Sequence, residues 1–197
     1  MPRLLITGPP RSGTRWIALA LRSAGLRVGH ERLLRDGMVS SLAAVDDFYY
    51  VNQVVPATSS LDFDHVWLQT RDPLLAIPSI AKALRIDFWR WQEKHTHVPG
   101  DLEPRLLRAM LFWTSWIPKA RSRHPEWQYR LEDASRLWPE MLDRLGISPT
   151  TNAPILGAPG AHGSSGATPV TYSDLVAIDR NAAGEVAKLA HELGYGG

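Results

Sequence analysis

Arg11 stands in the middle of the turn Gly8-Pro9-Pro10-Arg11-Ser12-Gly13, whose two glycines are separated by four residues. Turns with that bracket aim backbone N–H groups and the start of a helix at a phosphate. The first helical turn has N–H groups with no internal partner, and it carries partial positive charge. Leu4, Leu5 and Ile6 lead in as a short apolar strand, and Thr14, Arg15 and Trp16 lead out as a helix. Pro10, Arg11, Ser12, Gly13, Thr14 and Arg15 are therefore the residues expected to hold an anionic ligand. Loops that bind ATP with Mg²⁺ place Lys and then Ser or Thr directly after the second glycine. Here those positions are Thr14 and Arg15, and the cation sits inside the loop.

Two further sets of residues have spacings that matter. Arg71 ends the apolar run Val66-Trp67-Leu68-Gln69-Thr70, and Ser79 follows eight positions later, inside a segment opened by Pro73. Proline suits the first turn of a helix, so Ser79 is expected about two turns in, on the segment that leaves the strand end at Arg71. His30 and Glu31 follow the extended stretch Leu26 to Gly29. In a doubly wound sheet, ligands collect beyond the carboxyl ends of the strands, which brings both to the rim that carries Arg11. Either could serve as a general base, the imidazole by its ordinary pKa and the carboxylate if burial raised it.

Pro10-Arg11-Ser12-Gly13-Thr14 resembles the 5′-phosphosulfate loop of sulfotransferases, in the branch that carries Arg where the cytosolic enzymes carry Lys. Arg71-Asp72-Pro73 with Ser79 resembles that family's second signature, whose Arg and Ser hold the 3′-phosphate of 3′-phosphoadenosine 5′-phosphosulfate (PAPS). Val28-Gly29-His30-Glu31, Trp113-Thr114-Ser115-Trp116, Tyr129-Arg130-Leu131-Glu132-Asp133 and Leu193-Gly194-Tyr195 are also similar to family segments. The resemblance implies metal-independent transfer of a sulfuryl group from PAPS, as co-substrate, to a hydroxyl or amine of a small-molecule, carbohydrate or peptide acceptor. Arg11 would stabilise the leaving phosphate. Glu31, at the separation from Arg11 where the tyrosylprotein branch has its proposed base, would take the proton, with His30 as second candidate.

One departure stands out. Family members close a C-terminal loop over the nucleotide with a basic residue, yet no Lys or Arg lies between Arg144 and Arg180. This keeps a catalytically weak or inactive nucleotide-binding protein on the same fold as an alternative; a small-molecule kinase or NTPase is the other.

The elements that must position these residues are legible from periodicity. Ile17, Ala20, Leu21 and Ala24 form a helical stripe that Gly25 ends, and Tyr50 to Val55 is expected as a strand. Pro73 should open a helix running to about Gln92 that Pro78 kinks or divides. A long helix carries Leu106, Met110, Trp113 and Ile117, with Arg105, Arg108, Lys119, Arg121 and Arg123 along its exposed side and end. Trp127 to Leu131 follows as a strand, then a helix to Leu145. Residues 148–170 are rich in Gly, Pro, Ser and Thr and are expected as a mobile loop. Thr171 and Asp174 form a capping box before a last helix that Gly194 ends. Alternating strands and helices predict an α/β fold, a three-layer P-loop-type sandwich with a mostly parallel central sheet of about 4–5 strands flanked by helices, in a single domain over residues 1–197.

Composition fits that reading. Net charge is +2 over 197 residues, too mild for a nucleic-acid binder, and there is no cysteine for disulfide, thiolate or Cys-metal chemistry. No metal site is expected, the spacing of His95 and His97 notwithstanding. The N-terminus lacks a long apolar run, so the sequence reads as a cytoplasmic protein without a membrane span. The acceptor and the oligomeric state are not encoded in any motif.

Overall fold

The computed structural model describes residues 3–48, 57–148 and 166–196. The expected strand Tyr50 to Val55 and most of the 148–170 segment lie outside the described residues. The chain divides into two compact units, one of Met1–Thr70 with Ala120–Gly163, the other of Arg71–Lys119 with Ser164–Gly197.

The first unit holds the sheet. Its strands are β1 (Leu4–Thr7), β2 (Val28–His30), β3 (Gly37–Val39), β4 (His65–Thr70) and β5 (Trp127–Arg130), all parallel, in the order β2-β3-β1-β4-β5. The expected α/β class is observed. Ile6 stands beside Val39 on one side and Trp67 on the other, and Trp67 beside Trp127. That row faces α1 (Thr14–Ser23) and α5 (Ala134–Arg144), whose Trp16, Ile17, Leu21, Trp138, Met141 and Leu142 are buried with Leu4, Ile6, Val28 and Trp67 in one core. Leu5, Met38 and Leu68, of opposite pleat, are also buried. Strands buried on both faces read as continuous apolar runs, which is why Leu4-Leu5-Ile6 and Val66-Trp67-Leu68 are recognisable in the sequence.

β3 is not among the expected strands, and its connection explains why. Parallel neighbours ordinarily need a crossover of a dozen or more residues; here residues 31–36 alone lead from β2 to β3. Asp36 makes this return possible. Its backbone N–H donates to the Arg27 carbonyl and its own carbonyl accepts from Leu4 N, so one residue joins the starts of β2 and β1. Its buried carboxylate accepts from Arg27 N (2.7 Å) and from Arg35 Nε (2.7 Å) and Nη2 (3.1 Å). The Arg35 hydrogen bond, foremost, holds the Asp36 carboxyl below its usual range. A carboxylate so depressed contributes stability above its unfolded pKa of about 3.9, lost as pH falls through the folded value. Asp36→Ala is expected to cost about 2 kcal/mol, the worth of charge-assisted bonds to a buried acceptor, in urea denaturation at pH 7, with a smaller penalty at pH 3.

The second unit is helical: α2 (Pro73–Ala83), α3 (Ile86–Thr96), most of α4 (Arg105–Arg121), α6 (Tyr172–Ile178) and α7 (Arg180–Glu192). Asp72 caps α2 by accepting from Leu74 N at 2.8 Å. The helix expected to run to Gln92 does divide, but at Leu84-Arg85; Pro78 lies inside α2. Proline removes the N–H that the Leu74 carbonyl would receive. The Val170 N–H donates to that carbonyl instead, at 3.2 Å, so α2 carries Pro78 without breaking. Phe88, Trp89, Phe112 and Trp116 pack with centroids 4.9 to 5.8 Å apart along the Phe88–Phe112, Trp89–Phe112 and Phe112–Trp116 pairs. Arg108, expected on the exposed side of α4, is buried. Its guanidinium lies 4.4 Å from the Trp89 ring centroid and Nη1 donates to the Gly100 carbonyl. An arginine stem packs like an apolar chain and its head stacks on an aromatic face, so charge alone misassigns it. The capping box of Thr171 and Asp174 forms as expected. Among the described residues no helix is long and apolar enough to cross a membrane.

Candidate functional site

The strand order makes β1 the topological switch point, since the chain moves from it to β2 and β3 on one side and to β4 on the other. Crevices of parallel sheets open at the carboxyl end of the strand where the order reverses. The turn that leaves β1 there is the glycine-bracketed turn of residues 8–13.

Each glycine is required by its surroundings. A Cβ on Gly8 would lie 2.0 Å from the Gln69 carbonyl oxygen, so β4 approaches the turn too closely for any side chain. Gly13 is the N-cap of α1 with φ 87, and a Cβ there would lie 2.5 Å from Leu131 Cδ2. Arg11, half-buried, also takes a positive φ of 69, a conformation costly for a residue with a side chain. No side chain caps α1. The ten-residue helix therefore begins with N–H groups that a bound anion could take up. Ser12 is fully buried and its hydroxyl has no hydrogen-bond partner among the described residues. An uncapped helix start, a cradle that a Cβ would fill and an unused hydroxyl fit an anionic group such as a phosphosulfate.

Below the turn lies a chain of buried polar groups. The Gln69 amide nitrogen donates to the Ser12 carbonyl at 2.6 Å, and the Tyr129 hydroxyl donates to the Gln69 amide oxygen at 2.6 Å. Gln69 and Tyr129 are register partners on β4 and β5. Burial pushes the Tyr129 phenol well above its ordinary pKa, so it stays protonated and a donor.

His30, at the end of β2, comes to the turn as expected: its Nε2 lies 3.2 Å from Thr14 Oγ1. Burial is the main cause that lowers the His30 pKa, with Arg15 adding to the effect and the Glu31 carboxylate opposing it. The neutral form of the ring therefore prevails at pH 7, and Nε2 and the Thr14 hydroxyl share a hydrogen bond whose direction is set by the tautomer. Glu31 also lies at this rim, with φ 52. Its carboxylate is taken up by the residues after β3: Ser40 Oγ donates to Oε2, and Ser41 N and Oγ donate to Oε1 at 3.0 and 2.9 Å. Glu31 Oε1 is 4.0 Å from His30 Nε2. It thus joins β2 to β3 while placing a negative charge beside the imidazole.

Arg71 and Ser79 belong to the second unit. Arg71, half-buried, immediately precedes the cap of α2, and Ser79 is buried within that helix. Lys82, one turn further along α2, donates to the Gly166 carbonyl at 2.9 Å. At the opposite end of the strands His65, the first residue of β4, pairs with Glu126 at 2.6 Å, away from the turn.

Ser40, Ser41, Gln69 and Tyr129 are the residues that reading the sequence misses. Gln69 leaves a signal, since an amide inside a central strand otherwise free of polar bulk needs buried partners. Ser40 and Ser41 leave none, because β3 itself is too short to announce where it ends. Comparison with protein-family models, curated proteins and solved structures returned no match for this chain.

Proposed function

We propose that this protein is a PAPS-dependent sulfotransferase. The observation that carries the reading is the uncapped, glycine-bracketed turn with Arg11 at the switch point of the sheet, with a neutral histidine 3.2 Å from the first hydroxyl of its helix. Thr14 and Arg15, where an ATP loop would have its lysine and Mg²⁺ ligand, favour a phosphosulfate over a nucleoside triphosphate.

In this reaction the acceptor oxygen or nitrogen attacks sulfur, the bond from sulfur to the bridging phosphate oxygen breaks, and 3′-phosphoadenosine 5′-phosphate leaves with the electron pair. Arg11 and the amides that open α1 stabilise the charge growing on the departing phosphate. Ser12 and Thr14 add hydroxyls. His30 Nε2 takes the acceptor's proton, and Glu31, 4.0 Å away, stabilises the imidazolium that results. The bonds from Ser40 and Ser41 favour this division of labour over one in which Glu31 is the base. Arg71 and Ser79 are assigned to the 3′-phosphate on the resemblance alone.

Calorimetry tests the reading. 3′-Phosphoadenosine 5′-phosphate should bind without metal, and Arg11→Ala should weaken it about 10- to 100-fold, the worth of one charge-assisted phosphate contact. Arg71→Ala is expected to fall in the same range. A preference for ATP with Mg²⁺ would overturn the proposal.

A further inference from the structure

We infer that Gln69 and Tyr129 are positioning residues that set the direction of a peptide plane in the phosphate-binding turn. The inference rests on the functional reading only in taking the turn as the anion's seat.

The Ser12 carbonyl can only accept, so the group that meets it must be the N–H₂ of the Gln69 amide. That leaves the amide oxygen facing Tyr129, whose hydroxyl, kept protonated by burial, donates to it. Tyr129 thereby locks which way the amide points. In a trans peptide the C=O and the following N–H point in opposite directions. Pinning the Ser12 oxygen toward β4 therefore points the Gly13 N–H away from β4. This plane needs a brace, because glycine tolerates both signs of φ and Gly13 sits at φ 87. Were the plane to turn over, a carbonyl oxygen would replace a donor and repel an anion. Gln69 and Tyr129 are buried, with 0 % and 3 % of their surface exposed, and do not touch solvent where a ligand could meet them. Their effect must pass through the Ser12–Gly13 peptide.

Three variants test this at a temperature well below the melting point of each: Tyr129→Phe, Gln69→Leu and their double. Binding of 3′-phosphoadenosine 5′-phosphate should weaken about tenfold in each single variant, and the double should be no weaker than Gln69→Leu, because Tyr129 acts through Gln69. Gln69→Glu gives a readout that a merely structural role would not move. Ionised, it sets oxygen against the Ser12 carbonyl; protonated, it can donate there and still accept from Tyr129. Its affinity relative to the parent protein should therefore recover as pH falls from 8 to 5.5. Unchanged affinity in Tyr129→Phe, additive losses in the double, or a pH-independent Gln69→Glu defect would each overturn the inference. If the parent protein fails to bind this nucleotide, the functional reading falls, and the brace is judged by the Gly13 amide resonance. A shift in both single variants supports it, and an unmoved resonance overturns it.

Discussion

Replacing His30 with alanine is expected to lower sulfuryl transfer by about 10²- to 10⁴-fold, the usual worth of a positioned general base, and to leave nucleotide affinity within about threefold. The asymmetry follows from what the ring touches. Its Nε2 lies 3.2 Å from the Thr14 hydroxyl, within the reach that an acceptor alcohol would need. Burial holds the pKa of the ring below its usual 6.5. A base with a lowered pKa is mainly neutral at pH 7, so the rate should rise with pH through an inflection below 6.5 and then level, and His30→Ala should abolish that limb. The sign for stability follows from the same shift. Between the folded and unfolded pKa values the unfolded chain binds more protons at this site, so His30 makes stability rise with pH across that window. Glu31→Gln keeps an oxygen that can accept from Ser40 or Ser41 but loses the charge beside the imidazolium, and should cost only about tenfold, the effect of one unit in the pKa of the base. Transfer is measured with a labelled sulfuryl donor against a panel of alcohols, phenols and amines. A His30→Ala rate within threefold of the parent's would remove the residue from the reaction.

How much of this was legible beforehand depends on whether a signal is local. The turn after β1, the strand before it and the helix stripe after it announce themselves within about 25 residues, since glycine spacing, apolar run and periodicity all lie close together. β3 is three residues long and is tied in by Asp36 through bonds to Arg27 and Leu4, contacts that sequence spacing does not reveal. Arg108 reads as an exposed charge on a helix until Trp89 and Gly100, on the preceding helix and loop, supply a stacking face and an acceptor that helical periodicity does not reveal. Pro78 reads as a breaker because the residue that takes up the stranded Leu74 carbonyl, Val170, is about ninety positions away. Glu31 illustrates the same limit within the site. Its separation from Arg11 suggested a base, but Ser40 and Ser41 hold its carboxylate, so its effect reaches the reaction through the neighbouring histidine.

Gly8→Ala should have the largest effect on the fold and the site together. The Cβ would fall 2.0 Å from the Gln69 carbonyl oxygen, well inside any van der Waals contact, and the opposing atom is main chain of a central strand. A flexible side chain could swing aside; here the turn must lift away from β4. Lifting it moves the Ser12 carbonyl off the Gln69 amide and misdirects the start of α1. The expected cost is about 3 kcal/mol, at the upper end of ordinary overpacking, or a fall of about 6–12 °C in melting temperature for a chain of this size. Anion binding should be lost with it. Gly13→Ala separates the causes, since the three atoms nearest its Cβ all belong to the Leu131 side chain. In a Leu131→Ala background that clash disappears, and the substitution should cost just the left-handed strain, about 1–2 kcal/mol. No such background exists for Gly8. Ser12→Ala deletes the hydroxyl 3.2 Å from the added carbon but leaves the carbonyl in place, so the Gly8→Ala penalty should persist undiminished. Relief of that penalty by Ser12→Ala would mean that the hydroxyl, and not the strand, sets how closely the turn is held.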